Sequence, residues 1–212
     1  MNVKIQWATP DIDKQIMFMA RVSNPSGQAS ENTRLLHYCM EHGHVSPFEM
    51  ASACLEIDTT RDIARQILRH RSFSFQEFSQ RYADVDALGD WELRECRLQD
   101  AKNRQNSIEC DDNITDAIWG DLQRKIMLEC KYAYRAAMKA GIAKEQARAL
   151  LPEGLTPSRL YMNGTMRSWI FYLKQRLDPS TQKEHRMIAQ AVLSELRTVA
   201  PITMAAFFPE DV

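Results

Sequence analysis

Residues 69–82 run Arg69-His70-Arg71-Ser72-Phe73-Ser74-Phe75-Gln76-Glu77-Phe78-Ser79-Gln80-Arg81-Tyr82. Two guanidinium groups flank an imidazole, and hydroxyls, amides, a carboxylate and a third Arg follow. Arg presents a planar fork of N–H donors that matches phosphate oxygens in pairs, and it stays protonated. So many donors in one short stretch suit an anionic ligand, and their types point to a phosphorylated small molecule. From Arg61 to Tyr82 five Arg stand against Asp62 and Glu77, a local charge of +3. The whole chain is balanced, with 27 Lys+Arg and 28 Asp+Glu. That balance weighs against a general nucleic-acid or membrane-surface binder, which carries a broad basic excess.

Other constellations are poorer. His42-Gly43-His44 lacks a third ligand at suitable spacing and reads as a helix-end turn, so no metal site is expected. Neither G-x-x-x-x-G-K-[ST] nor G-x-G-x-x-G occurs, so a P-loop or Rossmann unit would not hold a nucleotide or flavin here. Ser79 has no G-x-S-x-G elbow around it and reads as a hydrogen-bonding group rather than a nucleophile. The five cysteines, Cys39, Cys54, Cys96, Cys110 and Cys130, form no C-x-x-C pair and have the spread of reduced thiols. Cys39 and Cys54 fall on apolar faces as small buried residues. No apolar run approaches the roughly 20 residues of a membrane span. Residues 1–5 lack the apolar core of a signal peptide, so a soluble cytoplasmic protein is expected.

The elements that must position these groups follow from periodicity. Val3, Ile5 and Trp7 alternate with polar neighbours, which predicts a strand, and 10–22 reads as a helix. A helix over 31–42 turns Leu35, Leu36 and Cys39 inward, with Gly43 as its stop. Ala51, Ala53, Leu55 and Ile57 predict a second strand. Thr59 and Asp62 resemble a capping box opening a helix to Leu68, which would put Arg61, Arg65 and Arg69 on one face. Residues 84–112 read as a polar loop or insertion. Asn113 or Thr115 caps a long helix whose inward face is Ile118, Leu122, Ile126, Cys130, Ala133 and Ala137, ended by Gly141. A short helix passes through Ala147, a strand covers 159–162, and a helix covers 165–175. Thr181 and Glu184 then cap a last helix carrying Met187, Ile188, Ala191, Val192, Leu196 and Val199. Helices dominate and the strands are scattered, so the class is α+β with a small antiparallel or mixed sheet, in one domain spanning 1–212.

The order of residues adds more than their composition. Arg69-His70-Arg71, Ser74, Glu77, Ser79, Arg81 and Tyr82 resemble the R-H-R-x-x-S-x-N-E-x-S-x-R-Y signature of flavin-dependent thymidylate synthases. The one departure is Gln76 in place of Asn. His42-Gly43-His44, Ser46, Pro47, Phe48 and Glu49 are similar to the element that precedes the signature in that family. Gln66 to Arg69, Ala147-Arg148 with Leu151-Pro152, Arg167-Ser168 with Arg176, and Gln182 with Glu184 extend the likeness over most of residues 20–192. Thr165 and Phe171 stand where the family carries Asn.

The resemblance implies methylation of dUMP to dTMP, with methylenetetrahydrofolate as co-substrate and FAD, reduced by NADPH, as hydride source. It implies a homotetramer with shared active sites and no nucleic-acid or membrane partner. Gln66, Arg69, Glu77, Ser79, Gln80, Arg81, Arg148 and Arg176 match substrate positions. Ser46, Arg69, His70, Arg71, Glu77, Thr165 and Arg167 match flavin positions. Arg176 matches the catalytic position, where a permanent cation beside the pyrimidine replaces the usual Cys nucleophile. A catalytically inactive binder of the same ligands is the alternative, and an Arg-faced nucleic-acid module is a third reading from another class.

Overall fold

The structure, a computed structural model, describes residues 1–209. In chain order the elements are β1 (Asn2–Ala8), α1 (Ile12–Ala20), α2 (Arg34–Glu41), β2 (Ser52–Thr60), α3 (Arg61–Ile67), β3 (Ser74–Glu77), β4 (Arg97–Gln99), β5 (Ser107–Glu109), α4 (Asn113–Lys139), α5 (Lys144–Ala147), β6 (Pro157–Thr165), α6 (Met166–Arg176), α7 (Lys183–Val199) and α8 (Pro201–Phe207). One sheet has the order β1-β2-β6-β3, and β4 pairs with β5 in a separate antiparallel hairpin. The helix-rich α+β class agrees with the expectation from sequence. Among the described residues no helix is long and apolar enough to cross a membrane.

The described residues gather into two compact units, each made of separated segments. The first comprises Met1, Asp58–Arg69 and Glu77–Leu160; the second comprises Asn2–Ile57, His70–Gln76 and the chain from Tyr161 onward.

In the second unit α7 packs against β1, α6 and α8. Its apolar residues recur at helical spacing, and Ile188, Ala189, Val192 and Leu196 are buried against those neighbours. Its N-cap is Gln182 rather than Thr181. Gln182 Nε2 donates to Glu184 Oε2 at 2.9 Å, while Thr181 Oγ1 instead donates back to the Gln175 carbonyl. Helix α8 has no counterpart in the sequence reading. Its first turn is capped by buried Asp13 of α1, whose carboxylate accepts from the Ile202 and Thr203 amides at 2.8 and 3.0 Å and from Thr203 Oγ1 at 2.5 Å. A cap supplied 190 residues away leaves no local sequence signal. Gly43 ends α2 with φ +67°, a conformation that favours Gly.

In the first unit Val85, Trp91, Tyr134, Ala137, Ala147 and Leu155 form the core, with Phe78, Met127 and Leu151 packed against it. The N-cap of α4 is Asp112, one residue before the expected Asn113: its carboxylate accepts from the Ile114 and Thr115 amides. The inward face of α4 also differs from expectation. Ile118, Leu122 and Ile126 are 55, 53 and 49 % exposed, whereas Gln123, Tyr134 and Ala137 are buried. The second half of the expected face agrees, since Ala137 is buried and Cys130 packs against the core; Ile118, Leu122 and Ile126 are the part that the core does not cover. Gln123 is buried because it brackets the Arg94 backbone, accepting from its N–H at 2.6 Å and donating to its carbonyl at 2.9 Å.

Residues 84–112 are more ordered than an irregular loop. They contain a 3-10 turn at Val85–Leu88, the Arg94 anchor and the β4–β5 hairpin. The Arg94 guanidinium donates to Thr60 Oγ1 at 2.5 Å and Asp62 Oδ1 at 2.7 Å. The expected capping box at Thr59 is therefore displaced by one residue: Thr60 is the N-cap of α3, and its hydroxyl donates to Asp62. Because α3 stops at Ile67, Arg69 lies beyond it and does not continue the face of Arg61 and Arg65.

Candidate active site

Within the second unit the signature residues 70–76 are fastened to α6 and β6. Ser168 Oγ donates to the Ser72 carbonyl at 3.0 Å, and the Phe73 ring meets Trp169 edge to face at 4.7 Å. Gly164 on β6 lies under Phe73 so closely that a Cβ there would collide with the ring. Trp169 is itself fully buried, and its Nε1 donates to the Ala53 carbonyl at 3.1 Å. This anchoring brings His70 to the end of α6, where Arg176 Nε donates to His70 Nε2 at 2.9 Å. An imidazole nitrogen that accepts a hydrogen bond carries no proton at that atom.

Beneath this pair lie two buried rings. Tyr172 stands edge to face with His70 at 5.0 Å, His185 does so at 6.3 Å, and His185 Nε2 lies 3.2 Å from the Tyr172 hydroxyl. Burial first, then the charges of Arg176 and His70, hold the His185 pKa down to about 3. Burial pushes the Tyr172 phenol well above its usual range, with Arg176 opposing. Arg176 thus rests on a bed that stays uncharged near neutrality. Neither ring was singled out from sequence. His185 had a detectable signal, because it falls three residues before Ile188 on the buried face of α7.

The remaining flavin-matched residues of this unit surround the start of α6. Thr165 is its N-cap, with Ser168 N–H donating to Thr165 Oγ1 at 3.3 Å. Arg167 pairs with Glu49 and lies over the Phe171 ring at 5.8 Å. Glu49 ends the 3-10 turn Ser46–Glu49, which packs against α6; Ser46 and Arg71 are exposed.

The substrate-matched residues other than Arg176 lie in the first unit, together with Arg69 and Glu77, which match both ligands. Glu77 ends β3, a strand not foreseen from sequence. Its Oε1 accepts from Ser158 Oγ at 2.8 Å and faces Arg61 Nη1 at 3.5 Å. Gln80 is 3 % exposed, and its Nε2 has no hydrogen-bond partner among the described residues. A buried amide donor without a partner is costly unless a ligand or water receives it. The Ser79 carbonyl accepts from the Tyr82 and Ala83 amides, which turns the chain so that Arg81 projects outward. Arg81 Nε lies 3.7 Å from Glu145 on α5, an exposed pair of little strength. Arg148, at the C-cap of α5, is exposed, as is Arg69; Gln66 sits on α3.

The sequence model of the thymidylate synthase complementing protein family matches residues 4–202. The flavin-dependent thymidylate synthase of Synechocystis sp. is 47 % identical over 191 residues, covering 90 % of this chain and 87 % of that one. The chain belongs to the flavin-dependent thymidylate synthase family. A probable flavin-dependent thymidylate synthase of Paramecium bursaria Chlorella virus 1 is 45 % identical over 181 residues, covering 84 % of this chain and 82 % of that one. A crystal structure of the UMP/dUMP methylase PolB from Streptomyces cacaoi, bound with 5-Br dUMP, shares the fold. Its TM-score is 0.85 at 24 % identity, over 97 % of this chain and 93 % of that one. The donor set of the second unit suits a flavin-dependent thymidylate synthase. Hydroxyls at Ser46 and Thr165 and the cations Arg71 and Arg167 are donor types that suit a pyrophosphate.

Proposed function

We propose that this chain catalyses reductive methylation of dUMP to dTMP, taking its carbon from methylenetetrahydrofolate and its reducing equivalents from NADPH through FAD. The observation that carries the reading is the seat of Arg176. A permanent cation, hydrogen-bonded to the His70 imidazole over a buried Tyr172–His185 bed that stays uncharged, stabilises negative charge developing on a pyrimidine ring. The thiols favour the same route, since burial raises the pKa of Cys39, Cys54 and Cys96 and suppresses the thiolates that covalent catalysis needs.

Arg81 and Arg148 are the exposed cations for the nucleotide phosphate, with Gln66, Ser79 and the unpartnered Gln80 amide as neutral donors. Ser158 and Arg61 fix the Glu77 carboxylate so that its second oxygen is presented in one direction. Ser46, Arg69, His70, Arg71, Glu77, Thr165 and Arg167 would hold FAD, which when bound supplies the hydride.

The exposed Ile118–Leu122–Ile126 stripe of α4 supports assembly with further copies, read here as a homotetramer, because a face of that kind is stable when covered. A single family match over residues 4–202 favours one catalytic domain, and a cytoplasmic setting follows from the same reading.

Purified protein should be yellow, bleach anaerobically with NADPH, and release tritium from dUMP labelled at C5. A flavin-loaded protein that releases no tritium would establish the inactive binder instead. Arg176→Ala should keep flavin while losing turnover by about 10²–10³-fold, the usual cost of one electrostatic donor. Normal turnover would remove Arg176 from the mechanism.

A further inference from the structure

The hairpin of residues 97–109 carries a feature unrelated to the pyrimidine reaction. Arg97 lies opposite Glu109, Leu98 opposite Ile108 and Gln99 opposite Ser107. One rung further out, the same antiparallel register sets Cys96 against Cys110. Directly opposed residues of antiparallel strands have Cα separations of about 4.5–5.5 Å, inside the span of roughly 4.4–6.8 Å that a disulfide bridges. The two thiols are close enough to interact, since the neighbouring Cys110 raises the Cys96 pKa. Cys110 Sγ in turn donates to the Asp112 carbonyl at 3.6 Å, at the start of α4. Cys96 is buried at 8 % exposure, whereas Cys110 is half-buried and reachable from solvent.

We infer that Cys96 and Cys110 are a thiol-oxidation site that takes up low-molecular-weight disulfides and closes the neck of the β4–β5 hairpin with a reversible Cys96–Cys110 bond. The exposure order sets the chemistry. The Cys110 thiolate attacks one sulfur of the small disulfide, whose S–S bond breaks and releases one small thiol. The resulting mixed disulfide on Cys110 is attacked by the Cys96 thiolate, which forms the internal bond and expels the second small thiol. Two protein thiols are oxidised, one small disulfide is reduced to two thiols, and the two protons lost from the cysteines end on those leaving groups.

The surroundings tune the rate. Burial, the contact with Cys110 and the charges of Asp116 and Asp112 all favour the protonated Cys96 thiol. Closure is therefore slow near neutrality and quickens as pH rises. The bond joins two otherwise separate anchors of the first unit. Cys96 lies two residues after Arg94, whose backbone is bracketed by Gln123, and Cys110 lies two residues before Asp112, the cap of α4.

The test treats the whole folded chain with oxidised glutathione at pH 8, blocks remaining thiols by alkylation, and digests with trypsin without reductant. The expected product joins peptide 95–97 to peptide 105–124, with the other three cysteines alkylated. Cys96→Ser should stop at a single glutathione on Cys110, and Cys110→Ser should take up none at Cys96. Limited trypsin treatment should cut after Lys102 or Arg104, yet leave the oxidised chain at full length on a non-reducing gel. The inference fails if Cys110 is glutathionylated in the wild-type chain without ever forming the internal link, or if it joins two chains instead. Each result can be read whether or not the protein turns over dUMP.

Discussion

Helices α4 and α7 carry the same kind of apolar period, and the structure treats them in opposite ways. On α7, Ile188, Val192 and Leu196 are fully or almost fully buried against β1, α6 and α8. On α4, Ile118, Leu122 and Ile126 are about half exposed, and burial goes to Gln123, Tyr134 and Ala137. Spacing therefore announces that a face will be covered without naming what covers it. The α7 stripe is consumed by its own chain and supports the site, since the same helix delivers His185 beneath Arg176. On α4 the described residues of the chain leave Ile118, Leu122 and Ile126 uncovered.

The contrast can be broken by substitution. Leu196→Ala should cost roughly 2–5 kcal/mol of unfolding free energy by urea titration, the usual cost of emptying a closed core position. If it costs no more than Leu122→Ala on α4, the two faces are equivalent and the comparison fails.

A second probe is acid. His185 has a folded pKa of about 3 against 6.5 for the free side chain. Between these values the unfolded chain binds the proton and the folded chain does not. Stability from this group is complete above pH 6.5 and drains away as pH falls toward 3. His185→Gln should flatten that part of the stability–pH curve; an unchanged slope would show that another group is responsible.

Weaker effects belong to α4. Asp112→Ala should remove about 1 kcal/mol by uncapping the helix, read as a lower melting midpoint, and Asp112→Asn should restore most of it. Smallest on folding is the pair Ile118→Ser with Leu122→Ser, which should barely move the unfolding of the isolated chain. The same pair should shift sedimentation toward smaller species, and unchanged association would clear the stripe of any role in assembly.

What could be read from sequence was mostly local. The Gly43 and Gly141 stops and the start of α6 near residue 165 depend on neighbouring residues, and the structure has them where the pattern put them. Assignments that failed depended on distant partners. Asp112 outcompetes Asn113 as a cap because its carboxylate accepts from two amides and a hydroxyl. Strand β3 hid inside a motif whose polar residues mask alternation. At the site, Arg176 and His70 were each legible, but their mutual hydrogen bond and the Tyr172–His185 bed were not, since three separate segments make them.

One long-range bond has a consequence for biosynthesis. Asp13 emerges early in translation, yet its carboxylate meets its amide donors only after Ile202 and Thr203 are made. A ribosome stalled short of Pro201 would leave that acid without these amide donors, so the second unit closes only once α8 has been made. Protease sensitivity of chains stalled before Pro201, compared with chains that extend past Thr203, would reveal this dependence of an early acid on a late helix.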